Sequence, residues 1–122
     1  MTKKIKILIA EDEAIIVQCL KMELELHGYE VCNFVAEGEE AIEIAKEEKP
    51  DIILMDIHLS GKMDGIEAAR QIVALKDIPI IFMTGFNDTN IHKKAQDINP
   101  VAYLEKPIEV YDVTPIIESV FK

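Results

Sequence analysis

The chain has 122 residues, of which 49% are apolar and 30% charged, and a net charge of -10. That length is one domain whose core can fold without disulfide or structural metal. The charge argues against nucleic acid or an anionic membrane as direct partners, and admits a cation or a basic protein.

No apolar run is long enough for a signal-peptide core or a membrane span. Cys19 and Cys32 match no metal spacing. They read as buried free thiols in a reducing cytoplasm.

In chain order, Ile5 to Ala10 is apolar at nearly every position, the signature of a strand covered on both faces. Glu13 to His27 reads as a helix on Ile16, Leu20 and Leu24, stopped by Gly28. Glu30 to Val35 is a more polar strand, hence an edge strand. Gly38 to Lys49 is a second helix with Ala41, Ile42, Ile44 and Ala45 on its apolar side, closed by Pro50.

Asp51 to Asp56 is a third strand, followed by a loop at 58–63. Asp64 and Glu67 then have the spacing of a reciprocal cap. The helix they open carries Ile66, Ala69, Ile72, Val73 and Leu75 to about Lys76. Ile78 to Met83 is the fourth strand. Asn87 or Asp88 caps a short polar helix reaching about Asp97, and Val101 to Leu104 is the fifth strand. Pro115 is tolerated in a helix only in the first turn. The last helix is therefore expected to start at 112–114, or else to kink, and to run to about Phe121.

Five β-α units with apolar strands imply a doubly wound parallel sheet with right-handed crossovers. Ligands of such α/β folds bind beyond the carboxyl ends of the strands, where strand order reverses. Every apolar run here ends in polar residues: Glu11-Asp12, Asp56, Thr84 and Glu105-Lys106.

Three crowded carboxylates repel, so one stays protonated or a cation neutralises them. An all-oxygen site suits Mg²⁺. An aspartate can also be a nucleophile that forms aspartyl-phosphate. In that reading Mg²⁺ and Lys106 neutralise the phosphoryl charge and the Thr84 hydroxyl donates to it. Taken singly, Asp12 could be a helix cap, Asp56 a turn residue, Thr84 a strand end and Lys106 a surface cation. The strand-end rule weakens these readings together.

The motifs ILIAEDE, DIILMDIHL, MDGIEAAR, IIFMTG and YLEKPIE stand in an order and spacing that resemble the CheY-like receiver domain of two-component response regulators, over the whole chain. The resemblance implies a flavodoxin-like (βα)5 sheet of strand order 2-1-3-4-5, with 1–122 as one receiver domain. It implies that Asp56 is phosphorylated by a sensor histidine kinase or a histidine phosphotransfer protein. The domain would promote its own phosphorylation and dephosphorylation without being a conventional enzyme.

Glu11 and Asp12 match the family's acidic pair, and Asp12, Asp56 and the His58 backbone carbonyl would hold Mg²⁺. Thr84 matches its phosphoryl-binding hydroxyl, Lys106 its lysine, and Tyr103 the aromatic that moves inward as Thr84 is drawn to the phosphate. The bond to Pro107 would be cis. The face made by the fourth helix, fifth strand and fifth helix would then meet a downstream protein or a second copy.

Some features depart from that pattern. The loop LSGKM is a residue longer than usual, a weak likeness to receivers found with sensor kinases. Gly85 replaces a common alanine, and the fourth helix is short and polar. His58 and Phe86 flank the phosphoryl site and are expected to set the lifetime of the phosphoryl group. With no output domain after Phe121, the chain reads as a single-domain regulator or as a receiver cut from a larger kinase or regulator.

Two rival readings remain. One is a scaffold of the same fold that is never phosphorylated. The other is a cobalamin module through Asp56-x-His58-x-x-Gly61, although that motif would follow the first strand rather than the third. A phosphatase with an aspartyl nucleophile would need a second acid where His58 stands.

Overall fold

Alternate residues of the inner strands divide cleanly between two cores. The computed structural model describes residues 4–85 and 90–121, and of His92 only the backbone. Strands β1 (Lys6–Ala10), β2 (Glu30–Val31), β3 (Ile52–Asp56), β4 (Ile80–Thr84) and β5 (Ala102–Glu105) form one sheet of order β2-β1-β3-β4-β5. All neighbouring pairs are parallel, with Ile7 beside Ile52, Asp56 beside Met83 and Thr84 beside Glu105.

Ile7, Ile9, Ile52, Leu54, Ile81 and Met83 face α1 (Ala14–Leu26) and α5 (Val110–Phe121). Leu8, Ala10, Ile53, Met55, Ile80 and Phe82 face α2 (Gly38–Glu48) and α3 (Gly65–Leu75). A strand buried on both sides has no solvent face to mark with polar residues, which is why these runs are nearly continuous in apolar character. The order reverses between β1 and β3, so a crevice opens beyond their carboxyl ends. No helix among the described residues is long and apolar enough to cross a membrane.

Most elements lie where the periodicity places them; the exceptions have local causes. The second strand is an edge strand but keeps only Glu30–Val31, rejoining β1 through an isolated bridge between Ala10 and Val35. The β4 strand starts at Ile80, because the chain turns just before it: the Ile78 N–H bonds the Lys76 carbonyl and Pro79 has no N–H.

The buried line of α1 is Val17, Leu20 and Leu24, with Ile16 only half-buried. Its opposite side therefore carries Cys19, Met22 and Leu26 into solvent. The expectation that both cysteines are buried fails for Cys19. Cys32 is buried, and desolvation pushes its thiol up to about 11.

The last helix begins at Val110, earlier than Pro115 suggests. The Asp112 carboxylate reaches back to the Glu109 N–H at 2.9 Å, capping the helix one turn sooner. Pro115 leaves one carbonyl of the preceding turn without its donor, and burial of Val110, Val113 and Ile117 offsets that.

Residues Asn87 and Asp88, expected to cap the fourth helix, lie outside the described residues, as does Phe86. What is described is one turn, α4 (Ile91–Lys94), then a 3₁₀ turn at Gln96–Ile98. Arg70 of α3 ties this region down, holding the Asp97 carboxylate at 2.9 and 3.1 Å and the Lys94 carbonyl at 3.1 Å. The Asp64–Glu67 cap has one arm: Asp64 accepts from the Glu67 N–H, while the Glu67 carboxylate bonds Arg70 and Gln71.

Candidate functional site

The three acids predicted from strand ends converge. Ligand oxygens of Glu11, Asp12 and Asp56 all lie within 4.8 Å of one another, at the carboxyl edge where β1 and β3 are neighbours. Asp56 closes a strand whose five residues are all buried and is itself only 2% exposed. Its two oxygens are both engaged: Oδ2 accepts from Lys106 Nζ at 2.9 Å and Oδ1 from the His58 N–H at 3.1 Å. Lys106 is delivered by β5, with its own N–H bonded to the Thr84 carbonyl at 2.9 Å. The Lys106–Pro107 bond is cis, as the resemblance implies.

Glu11 is 1% exposed. Its Oε2 accepts from the Glu13 N–H at 3.2 Å. Its Oε1 lies 2.6 Å from Lys106 Nζ, in an ion pair that is off the hydrogen-bond line. Three carboxylates against one ammonium leave two negative charges uncompensated when all are ionised.

Burial is the main reason that Glu11 is pushed up to about 7, and Asp56 adds to the rise while Lys106 opposes it. An acid raised in the folded state favours folding when neutral. In the absence of a cation, its stabilising share is therefore whole below its ordinary range and lost as pH climbs to about 7. Burial alone would lower the Lys106 ammonium, but the Glu11 and Asp56 carboxylates outweigh it and raise it. The Ser60 hydroxyl, 2.9 Å from Asp12 Oδ2, is the leading cause holding the Asp12 carboxyl below its usual value.

These donors fit a hard divalent ion. They are all oxygens, they are under-neutralised, and one buried oxygen has no aligned donor. Glu11, Asp12 and Asp56 are the residues that would hold it.

The remaining predicted residues lie on β4, on β5 and in the loop after β3. Thr84 ends β4, almost buried, and its hydroxyl donates to the Gly85 carbonyl at 2.9 Å. Tyr103 is half-buried on β5 and stacks on Phe82, with ring centroids 6.0 Å apart. His58 is exposed and follows Asp56 by two residues. Gly61 sits at φ +92° in the loop after β3, beside the Glu37 side chain.

Two residues were missed from sequence. Ser60 gives no signal there, because its contact with Asp12 depends on how the loop folds. Gly65 was read only as part of a helix start, yet a Cβ on it would strike the Asp56 carbonyl oxygen. That close approach is what seats α3 against the end of β3.

Comparison with known proteins agrees with this fold. The family description "Response regulator receiver domain" matches residues 7–118. Transcriptional regulatory protein PdtaR of Mycobacterium tuberculosis (strain ATCC 25618 / H37Rv) is 39% identical over 113 residues, 93% of this chain and 55% of that protein. The alkaline phosphatase synthesis transcriptional regulatory protein PhoP of Bacillus subtilis (strain 168) is 33% identical over 118 residues, 96% of this chain and 48% of that protein. The chain thus spans about half the length of these curated relatives.

Among solved structures, the signal receiver domain of a modulated diguanylate cyclase from Desulfovibrio desulfuricans G20 is similar with TM-score 0.88. It is 37% identical and the match covers 96% of this chain and 93% of that one. A CheY-like response regulator receiver domain protein from Methanospirillum hungatei JF-1 also reaches 0.88, at 27% identity over 97% of this chain and 94% of that one.

Proposed function

The chain belongs to the response regulator receiver domain family, and on that footing we propose that Asp56 is its phosphoacceptor, acting with Glu11, Asp12, Lys106 and Thr84. The observation that carries this reading is the Lys106 ammonium, 2.9 Å from Asp56 Oδ2 at the end of a buried strand and beside two further acids. A nucleophilic carboxylate needs an incoming dianion neutralised and aligned more than it needs covalent help.

In the proposed step a carboxylate oxygen of Asp56 forms a bond to phosphorus. The bond from phosphorus to the donor's imidazole nitrogen breaks, and the imidazole takes up a proton from solvent. Lys106 offsets the charge that gathers on the phosphoryl oxygens. Glu11, Asp12 and Asp56, with the His58 carbonyl, would hold Mg²⁺, which would supply the remaining positive charge. The same residues let the domain promote its own phosphorylation and later hydrolysis. The exposed His58, together with Phe86, would set how long the phosphoryl group lasts by controlling the access of water to it.

A phosphoryl group adds nearly two negative charges in a small volume. Thr84, now bonded to the Gly85 carbonyl, would turn its hydroxyl toward that group. Tyr103 would leave its stack on Phe82 for the space Thr84 vacates, changing the face of α4, β5 and α5. That face would meet a downstream protein or a second copy, and the phosphoryl donor would be a sensor histidine kinase or a histidine phosphotransfer protein. We take residues 1–122 as one such unit in the cytoplasm. The curated relatives' double length favours a second reading, in which this unit is the receiver of a larger regulator or hybrid kinase.

A small phosphodonor tests the chemistry without the kinase. With acetyl phosphate and Mg²⁺ the protein should take up one phosphoryl group, and excess chelator should abolish the uptake. Equal uptake with chelator present would remove the metal from the account.

A further inference from the structure

We propose that Ser60 is a positioning residue for the acidic centre, and that the long loop after β3 is the arm that carries it. The inference rests on the metal-dependent phosphoacceptor reading. It concerns a residue that neither the motifs nor the strand-end rule singles out.

Three chain segments meet beside Asp12, and each pair of them is joined. The Glu11 N–H bonds the Val35 carbonyl at 2.9 Å, so the backbone of the acidic pair is anchored on the segment leading into α2. The Ser60 N–H bonds the Ala36 carbonyl at 3.3 Å, and Ser60 pairs with Glu37 as an isolated parallel bridge, so the loop after β3 is anchored on that same segment. The Ser60 hydroxyl then donates to Asp12 Oδ2 at 2.9 Å and closes the triangle.

Gly61 makes the return possible. At φ +92° it adopts a left-handed conformation that side chains disfavour, and a Cβ there would sit 3.4 Å from the Glu37 carboxyl carbon.

The chemical consequence lies in Asp12. Glu11 and Asp56 are buried and fixed by their surroundings, whereas Asp12 is exposed. An exposed carboxylate samples several rotamers, and ordering it on binding an ion has an entropic cost. A hydroxyl bonded to one oxygen fixes the plane of the carboxylate and leaves the other oxygen available. Partners that orient ligands in this way change metal affinity substantially when removed.

The test is metal affinity, read without phosphorylation. Mg²⁺ is titrated into wild type, Ser60→Ala and Ser60→Thr, and affinity is taken from the rise in melting temperature and from calorimetry. Ser60→Ala should bind Mg²⁺ about tenfold more weakly, and Ser60→Thr, which keeps the hydroxyl, should bind as wild type does. At saturating Mg²⁺ the phosphorylation rate of Ser60→Ala should return to the wild-type value. Equal affinity in Ser60→Ala would overturn the inference and leave the metal site standing. A loss shared by Ser60→Thr, or a lower melting temperature with unchanged affinity, would make Ser60 merely structural. No Mg²⁺ response in wild type would overturn the metal reading and this inference with it.

Discussion

Gly65→Ala should lower stability by about 3 kcal/mol or more, the range of an overpacked site that cannot relax. The added Cβ would strike the Asp56 carbonyl oxygen and lie 2.9 Å from the Asp56 carbonyl carbon and from the Ile57 Cα. All three obstacles are backbone, so no side chain can swing aside. The Gly65 N–H is also bonded to the Ile57 carbonyl at 2.8 Å, so α3 cannot back away without breaking that bond.

For a domain of this size the loss should appear as a fall of about 10 °C in melting temperature. The damage should extend to function, because the atom struck belongs to Asp56. Gly85→Ala is the control: among the described residues its Cβ would meet nothing within 4 Å. It should melt within about 0.5 kcal/mol of wild type, as surface substitutions do. A Gly65→Ala protein as stable as the Gly85→Ala protein would contradict the seating of α3 on β3.

Lys106→Met should have two effects of opposite sign. Phosphorylation by acetyl phosphate should slow by about 10²- to 10³-fold, the usual consequence of deleting one charge-stabilising donor at a reacting centre. Mg²⁺ binding should tighten, because removing the ammonium 2.9 Å from Asp56 and 2.6 Å from Glu11 leaves three carboxylates with no internal cation. Rates at saturating Mg²⁺ and a Mg²⁺ titration by calorimetry separate the two. A variant that merely unfolded would lose both, and a lysine with no chemical part would change neither.

Much of this site was legible before any coordinates, for a reason visible in Asp56. Strands β1, β3 and β4 are buried on both faces, so their sequences are apolar until the chain leaves the sheet. The first polar residue then marks the edge. Glu11, Asp56 and Thr84 were found by that break in pattern, and the parallel topology brought them together.

Contacts that depend on how a loop folds leave no such mark in the sequence. Ser60 looks like any loop serine until Gly61 turns the chain back. Glu40 does not advertise a cap, yet its carboxylate accepts from the Ala36 and Glu37 N–H groups at 3.2 Å each. Asp112 hid the start of the last helix because Pro115 carried the stronger local signal. Cys19 was misplaced because its neighbours in sequence, Val17 and Leu20 among them, are apolar, whereas on the helix it lies on the side away from the buried line of Val17, Leu20 and Leu24.

The measurement closest to the central claim is the intact mass of the protein after incubation with acetyl phosphate and Mg²⁺, run beside Asp56→Asn. The wild type should gain the mass of a single phosphoryl group and lose it again on standing, while Asp56→Asn should gain none. An unmodified wild type, or an Asp56→Asn protein that gains the same mass, would contradict the assignment of Asp56 as the phosphoacceptor.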